Sequence, residues 1–318
     1  FIDTPHGKIV FTGDFKIDTN PYYGKPMDLK PFKDVGDEGV LLLMSDSTNV
    51  EREGHTLSEE TVFEKFEEIF STTTGLLIVS MFASNIGRIG QAMEIAAKLK
   101  KKVALLGRNM EQNARIAHEL GYLKHLKEVL IDADDIGRYP RNNVLVLSTG
   151  SQGEYRSALA RIANAEHRTV KLQEGDLVVL SSKFIPGNER AIGRMINSLF
   201  KLGADVLYEA ISDIHVSGHA SAAELKVMLE AVRPKFFIPV HGEFRHLVKH
   251  AKLARSTNVD SHNALIVING DVLELTQDEL SIVDHIEENR ILIEGSGGSD
   301  VSKVIIKDRR KVAETGIV

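Results

Sequence analysis

Cysteine is absent from the 318-residue chain, which excludes disulfides and any thiolate-ligated metal site. That absence fits a reducing compartment and a cytoplasmic location. No stretch approaches the roughly 18 consecutive apolar residues that a membrane span requires. The longest apolar run near a strand is Val40–Met44, so the chain reads as soluble, with no membrane partner. Phe1-Ile2-Asp3-Thr4 offers neither an initiator methionine nor a signal peptide. Glu314-Thr315-Gly316-Ile317-Val318 ends as abruptly, and the expectation is a piece of a longer protein. An excess of positive charge is also missing: the formal net charge is −6, which gives no overall pull toward a polyanion. Any such site has to be a local basic patch. Lys98, Lys100, Lys101 and Lys102 form one basic run, read here as a solvated helix end. No internal repeat is found.

What is present is a hydrophobic fraction of 42%, normal for a chain that buries a core, over a length that suggests about two domains. Val40–Met44, Leu76–Ser80, Val103–Leu106, Val144–Leu147, Leu177–Leu180 and Val206–Tyr208 read as buried strands. Between them lie amphipathic stretches at Ser58–Phe70, Ile86–Leu99, Met110–Leu120 and Ala191–Leu202. Strands alternating with helices, the strands continuously apolar, predict an α/β fold with a mostly parallel sheet flanked on both faces. Ligands in such a fold sit at the carboxyl ends of the strands. Polar turns stand there, at Ser45–Asn49 and Ser148–Gly153. Lys8–Thr12 and Lys235–Val240 are strands of another texture, ending in Gly13-Asp14 and His241-Gly242-Glu243. They suggest one domain inserted into another. Ala264–Asn269 and Val272–Thr276 flank Gly270-Asp271 and predict a hairpin with a two-residue turn. The Gly/Ser-rich stretch Gly295–Ser299 reads as a linker, with Lys303–Val318 opening a further unit.

Three histidines at strand-to-loop junctions, His215, His219 and His241, carry the chemistry that this composition allows. Imidazole ligates metals and moves protons near neutral pH. His215-Val216-Ser217-Gly218-His219 precedes a helix expected from about Ala220, whose N-terminal amides are available to an anion such as phosphate. His241 follows a buried strand, where ligands are rigidly held. Taken singly, a strand-end histidine is more often structural than a ligand. Asp14 reads as a turn residue and Asp46 as a helix cap.

Their order along the chain changes that reading. Thr12-Gly13-Asp14-Phe15-Lys16 resembles the fourth motif of the metallo-β-lactamase superfamily, and Ser45-Asp46-Ser47-Thr48-Asn49 resembles motif A of its β-CASP nuclease branch. Ser217-Gly218-His219 resembles motif B and Pro239-Val240-His241-Gly242-Glu243 motif C, with His219 and His241 22 residues apart. Within that branch the chain is similar to the ribonuclease J family, through Phe82-Ala83-Ser84-Asn85-Ile86, Ser148–Glu154, Ile185-Pro186-Gly187-Asn188 and Asp213–His219. Arg233-Pro234-Lys235-Phe236-Phe237 and Lys307-Asp308-Arg309-Arg310-Lys311 add to the likeness.

The resemblance implies a partial metallo-β-lactamase αββα sandwich with an inserted β-CASP domain. The first part would span 1–57, the insert 58–203 and the resumed part 204–284, with 285–318 as linker and start of a C-terminal domain. It implies a zinc-dependent ribonuclease that degrades RNA 5′-to-3′ from 5′-monophosphate ends and also cuts internally, in RNA decay and rRNA or mRNA processing. Two zinc ions would be the cofactors, with manganese or magnesium as substitutes. Asp14 would bridge the metals and His241 complete one coordination sphere. Asp46 would orient a ligand or the water. His219 would bind the scissile phosphate and protonate the leaving oxygen, with Ser217 donating a hydrogen bond and His215 also binding the RNA phosphate. Ser148, Gly150, Ser151 and Arg88 would hold the 5′-monophosphate, exposed amides after a strand forming an anion nest. The implied partners are RNA, a second or further copies as homodimer or homotetramer, and a paralogue or degradosome component.

The chain also departs from the family. The HxHxDH signature and the later histidine of motif three are absent, both expected upstream of Phe1, and Gly87 stands where relatives usually carry histidine. With Asp14 and His241 alone as metal ligands, the 318-residue chain is expected to bind zinc weakly and to lack nuclease activity. The alternatives are a non-catalytic RNA-binding or assembly subunit, which a degraded upstream signature would favour, and a metallo-hydrolase of small thioesters or lactams. The large insert between Asp46 and His219 argues against the second.

Overall fold

A computed structural model describes residues 1–185, 187–208, 214, 216–287, 293–294 and 299–300. The chain opens with β1 (Ile2–Thr4) antiparallel to β2 (Gly7–Phe11). Helix α1 (Lys30–Glu38), with Pro in its first turn, where the missing N–H costs nothing, leads into β3 (Val40–Asp46), parallel to β2.

A second sheet follows. The helix α2 (Glu59–Thr72) is capped by the Ser58 hydroxyl, which accepts from the Glu60 amide. The succession is then β4 (Leu77–Ser80), α3 (Ile86–Lys98), β5 (Lys102–Leu106), α4 (Arg108–Glu119), α5 (Leu126–Val129), β6 (Leu130–Ile131) and β7 (Val144–Ser148). It closes with α6 (Ala158–Ala163), β8 (Leu177–Leu180), α7 (Glu189–Lys201) and β9 (Asp205–Leu207). The six strands pair in parallel in the order β6-β5-β7-β4-β8-β9. Leu77, Val79, Val103, Leu105, Leu145 and Leu147 meet α2 through α5, whereas Ile78, Ala104, Val144, Val146 and Val178 meet α6 and α7. Both faces are covered, so alternate residues are all apolar and no polar–apolar alternation develops. After β5 the chain turns to α4 on one face, and after the neighbouring β7 it turns to α6 on the other. A crevice opens where those loops part.

The chain then returns to the first sheet. Helix α8 (Ala222–Val232) packs on α1, and Gly36 permits it, since a Cβ there would lie 2.3 Å from the Ala231 carbonyl oxygen. The strand β10 (Phe236–Val240) pairs in parallel with β3, giving the sheet order β1-β2-β3-β10. Helix α9 (Phe244–Arg255) joins α1 and α8 on one face, while the antiparallel pair β11 (Asp271–Leu275) and β12 (Leu280–His285) contributes Leu273, Leu275 and Leu280 to the other. Because β2, β3 and β10 run the same way, the loops after them emerge at one edge.

Two expectations need correction. The hairpin turn lies at Thr276–Glu279, where the Thr276 amide donates to the Glu279 carbonyl, and not at Gly270-Asp271. Residues 263–265 instead run along the edge of β10, with Phe237 N–H on Asn263 O and Leu265 N–H on Phe237 O. The Asp271 carboxylate accepts from the Ile268 amide at 2.9 Å and makes that turn the entrance to β11. Lys101, read as solvated, is 9% exposed and donates its ammonium to the Asn142 carbonyl. The tail expected over 285–318 lies mostly outside the described residues.

Candidate metal and phosphodiester site

The site grows from three strand ends. Strand β2 ends at Phe11, and the Thr12 amide continues its ladder to the Met44 carbonyl at 3.1 Å. Gly13 then takes a positive φ of 57°, open to glycine without penalty, and turns Asp14 out of the strand. Asp46 is the last residue of β3 and 1% exposed. His241 follows β10 in the left-handed region, φ 53°, an uncommon conformation for a residue with a Cβ. Its carbonyl is held there by the Ser47 amide at 3.2 Å and the Thr48 hydroxyl at 3.1 Å.

Asp46 is the centre of the arrangement. One carboxylate oxygen accepts the Thr48 amide and hydroxyl at 3.0 and 2.8 Å and lies 3.2 Å from His241 Nδ1. The other lies 2.7 Å from His219 Nδ1. Burial pushes the Asp46 carboxyl up, but the bonds from His219 and Thr48 outweigh it and bring it down to about 2. An ionised carboxylate only accepts, so His219 carries its proton on Nδ1 and leaves Nε2 for other work. The same bond raises His219 above the usual histidine value against the effect of burial. The rings of His219 and His241 stack with centroids 5.2 Å apart, and His241 Nδ1 is 3.5 Å from Asp14. Donor atoms of Asp14, Asp46, His219 and His241 all lie within 4.8 Å of one another.

The remaining expected residues divide. Ser217 joins the cluster: its buried hydroxyl accepts Asn49 Nδ2 at 2.7 Å and the His219 amide at 3.2 Å. His215 and Asp213 lie outside the described residues. Gly150 and Ser151 line a separate cleft of about 920 Å³ at the β5/β7 crevice, with Arg108, Arg156, Arg161, His167 and Arg168. Arg108, Arg156 and Arg161 have no side-chain acceptor among the described residues, while Arg168 pairs with Asp134. Burial lowers His167, and the positive charges of Arg161, Lys171 and Arg168 lower it further. Ser148 is buried and its hydroxyl is not among the cleft's lining groups. Arg88 does not join them either. It is 0% exposed, with its guanidinium on Glu59 at 2.7 Å and on the Ser181 hydroxyl at 3.2 Å. The amides at the start of α8 are not offered to an anion: Ala222 N–H donates to Arg52 O and Ala223 N–H to Gly54 O.

Thr48 and Asn49 were missed as site residues, although the motif containing them was read. Thr48 bridges Asp46 and His241, its hydroxyl 2.9 Å from His241 Nδ1, and Asn49 holds the His219 carbonyl at 2.9 Å and meets Lys183 at 3.3 Å. The signal was an Asx-type turn directly after a strand-end aspartate.

Residues 74–199 match the family described as ribonuclease J, beta-CASP domain, and residues 203–265 match the Zn-dependent metallo-hydrolase RNA specificity domain. Along 317 residues the chain is 44% identical to ribonuclease J 1 of Streptococcus pyogenes, covering 100% of this chain and 56% of that protein. The chain belongs to the ribonuclease J family. It is 43% identical to ribonuclease J of Thermus thermophilus over 317 residues (100% of this chain, 55% of that one) and 41% identical to that of Helicobacter pylori over 316 (99% and 46%). The chain thus spans about half the length of the curated relatives it matches. The oxygen and imidazole donors of the cluster and the match to a zinc-dependent metallo-hydrolase domain agree on a metal as cofactor.

Proposed function

We propose that the protein carrying this chain is a zinc-dependent ribonuclease, degrading RNA from 5′-monophosphate ends and cutting it internally. The observation that supports this best is the convergence of Asp14, Asp46, His219 and His241 at the ends of three strands. Carboxylate oxygen and imidazole nitrogen, with no thiolate, suit zinc and manganese alike. Asp14 and His241 are the donors with exposed side chains, 61% and 54%, and would hold the metal. When bound, the ions would activate water and offset the charge that builds on the phosphate.

The chain's own residues supply the rest. Asp46 has both oxygens engaged, so it orients His219 and His241. With Nδ1–H fixed on Asp46, His219 presents Nε2 to the scissile phosphate and delivers a proton to the leaving oxygen. A histidine raised above its usual value is protonated over more of the neutral range and suits that donor role. Ser217 accepts two hydrogen bonds and retains its own hydroxyl proton for a phosphate oxygen.

The 5′-phosphate is assigned to the cleft at Gly150 and Ser151, supported by three guanidinium groups without partners among the described residues. This local basic patch offsets a chain of net charge −6. Decay of 5′-monophosphorylated against 5′-hydroxyl RNA tests the assignment. Arg161→Gln or Arg108→Gln should erase much of the preference for the monophosphate, and a preference unchanged in both would remove the cleft from the mechanism. A non-catalytic subunit would hydrolyse neither RNA with zinc restored.

A further inference from the structure

Glu224 is fully buried, 0% exposed, in the first turn of α8. Its carboxylate accepts three backbone amides from three separate segments: Ile17 at 2.7 Å on one oxygen, Thr56 at 2.7 Å and Ser221 at 2.9 Å on the other. Ile17 lies three residues after Asp14, and Ser221 two residues after His219. Thr56 belongs to the loop that follows Asp46, and its hydroxyl donates to the His219 carbonyl at 3.1 Å.

A buried carboxylate is costly unless its oxygens are filled, and charge-assisted bonds of this kind are among the stronger ones. Ser221 and the loop after Asp46 also meet through an isolated parallel bridge to Asn49 and the bonds from Ala222 and Ala223. The three amides themselves lie outside the strands and end on Glu224, the one group among the described residues that ties the Ile17 amide to the other two. We infer that Glu224 is a positioning residue, fixing the Asp14 segment, the loop after Asp46 and the His219 segment at one separation. The inference rests on the reading of Asp14 and His219 as the reacting site. Glutamine cannot reproduce the set. Its carbonyl can satisfy Thr56 and Ser221, but its NH₂ then faces the Ile17 amide, donor against donor, and the Asp14 segment is released.

The test separates positioning from plain stability by comparison with Asp176→Asn. Asp176 is also buried, 1% exposed, and also accepts two amides, from Leu76 at 2.8 Å and Gln173 at 2.9 Å. It stands at the opposite end of the six-stranded sheet. Hydrogen exchange is measured on the metal-free chain, and kcat and KM on the zinc-loaded whole protein. In Glu224→Gln the Ile17 amide should exchange about tenfold faster or more, with Ile78 and Val146 unchanged. The kcat should fall by at least about tenfold, with KM within about twofold, since small misplacements of reacting groups act on the chemical step. Asp176→Asn should lower stability with kcat unchanged. If Glu224→Gln does not fold, Glu224→Asp keeps the local bond to Ser221 but does not reach Ile17, and the same exchange should appear. Unaltered Ile17 exchange in the folded variant, or a kcat loss no larger than that of Asp176→Asn, overturns the inference. The exchange result stands whether or not the protein proves to be a ribonuclease, so the two readings fail separately.

Discussion

His219 and His241 stack 5.2 Å apart, yet their surroundings assign them different work. His219 has a carboxylate fixed on Nδ1 at 2.7 Å and a side chain 25% exposed. His241 shares the Thr48 hydroxyl and faces Asp14 with a side chain 54% exposed. Replacing His219 by alanine should therefore cut kcat by roughly 10²–10⁴-fold, the span of general acid catalysis, with the zinc content of the protein unchanged. His241→Ala should do the reverse and lower zinc per chain, as read by elemental analysis. Zinc lost from His219→Ala would make it a ligand and remove it from proton transfer. Asp46 controls both rings. Asp46→Asn should depress kcat, because an amide does not hold Nδ1–H as an ionised carboxylate does. The measurement is the alkaline limb of the kcat–pH profile, where activity is lost as the proton donor deprotonates, and it should move to lower pH as His219 loses the partner that raises it.

The six parallel strands show which elements sequence alone resolves. Leu145 is fully buried and meets the α2–α5 face. Leu145→Ala should cost about 3 kcal/mol of stability by leaving a cavity, read as a lower urea midpoint, with kcat per folded molecule unchanged. These strands were legible because burial on both faces makes every residue apolar, a pattern no loop imitates. Asp14, Asp46 and His241 were legible for another reason: each alone reads as a turn, a cap or a structural histidine, and only their order along the chain made them candidates. The amide bonds of α8 were not legible. Ser221 and Glu224 carry the spacing of a capping box, a local signal, but Arg52 and Gly54, the acceptors of its first amides, are about 170 residues away in sequence. The hairpin was misplaced because Gly270-Asp271 does form a turn, and only the edge of β10, distant in sequence, decides what precedes it. Arg88 was read as a phosphate ligand from its motif, whereas Glu59 and Ser181 consume it from other elements.

For the molecule as a whole, two buried groups contribute to the response to acid. Burial holds His250 down at about 3, beneath the site with Nδ1 on the Ser47 hydroxyl at 2.9 Å. The unfolded chain protonates this histidine near the ordinary histidine value of 6.5, so the unfolded state binds the extra proton. Stability is therefore complete above that value and falls as pH drops toward 3. Asp46 adds a second loss, from 3.8 down to about 2, once its carboxylate is protonated. Urea midpoints between about pH 7 and pH 4 should decline in the parent, and His250→Asn should flatten that decline. An equal slope in both would place the acid response elsewhere. The most direct test of the central claim is hydrolysis of 5′-monophosphorylated RNA by the whole protein, chelated and then restored with zinc, in the parent and in His219→Ala. The account predicts that chelation abolishes hydrolysis and zinc restores it in the parent. In His219→Ala, zinc should rebind fully while the rate stays at least about 10²-fold lower. Hydrolysis that survives complete metal removal, or that His219→Ala leaves undiminished, would contradict it.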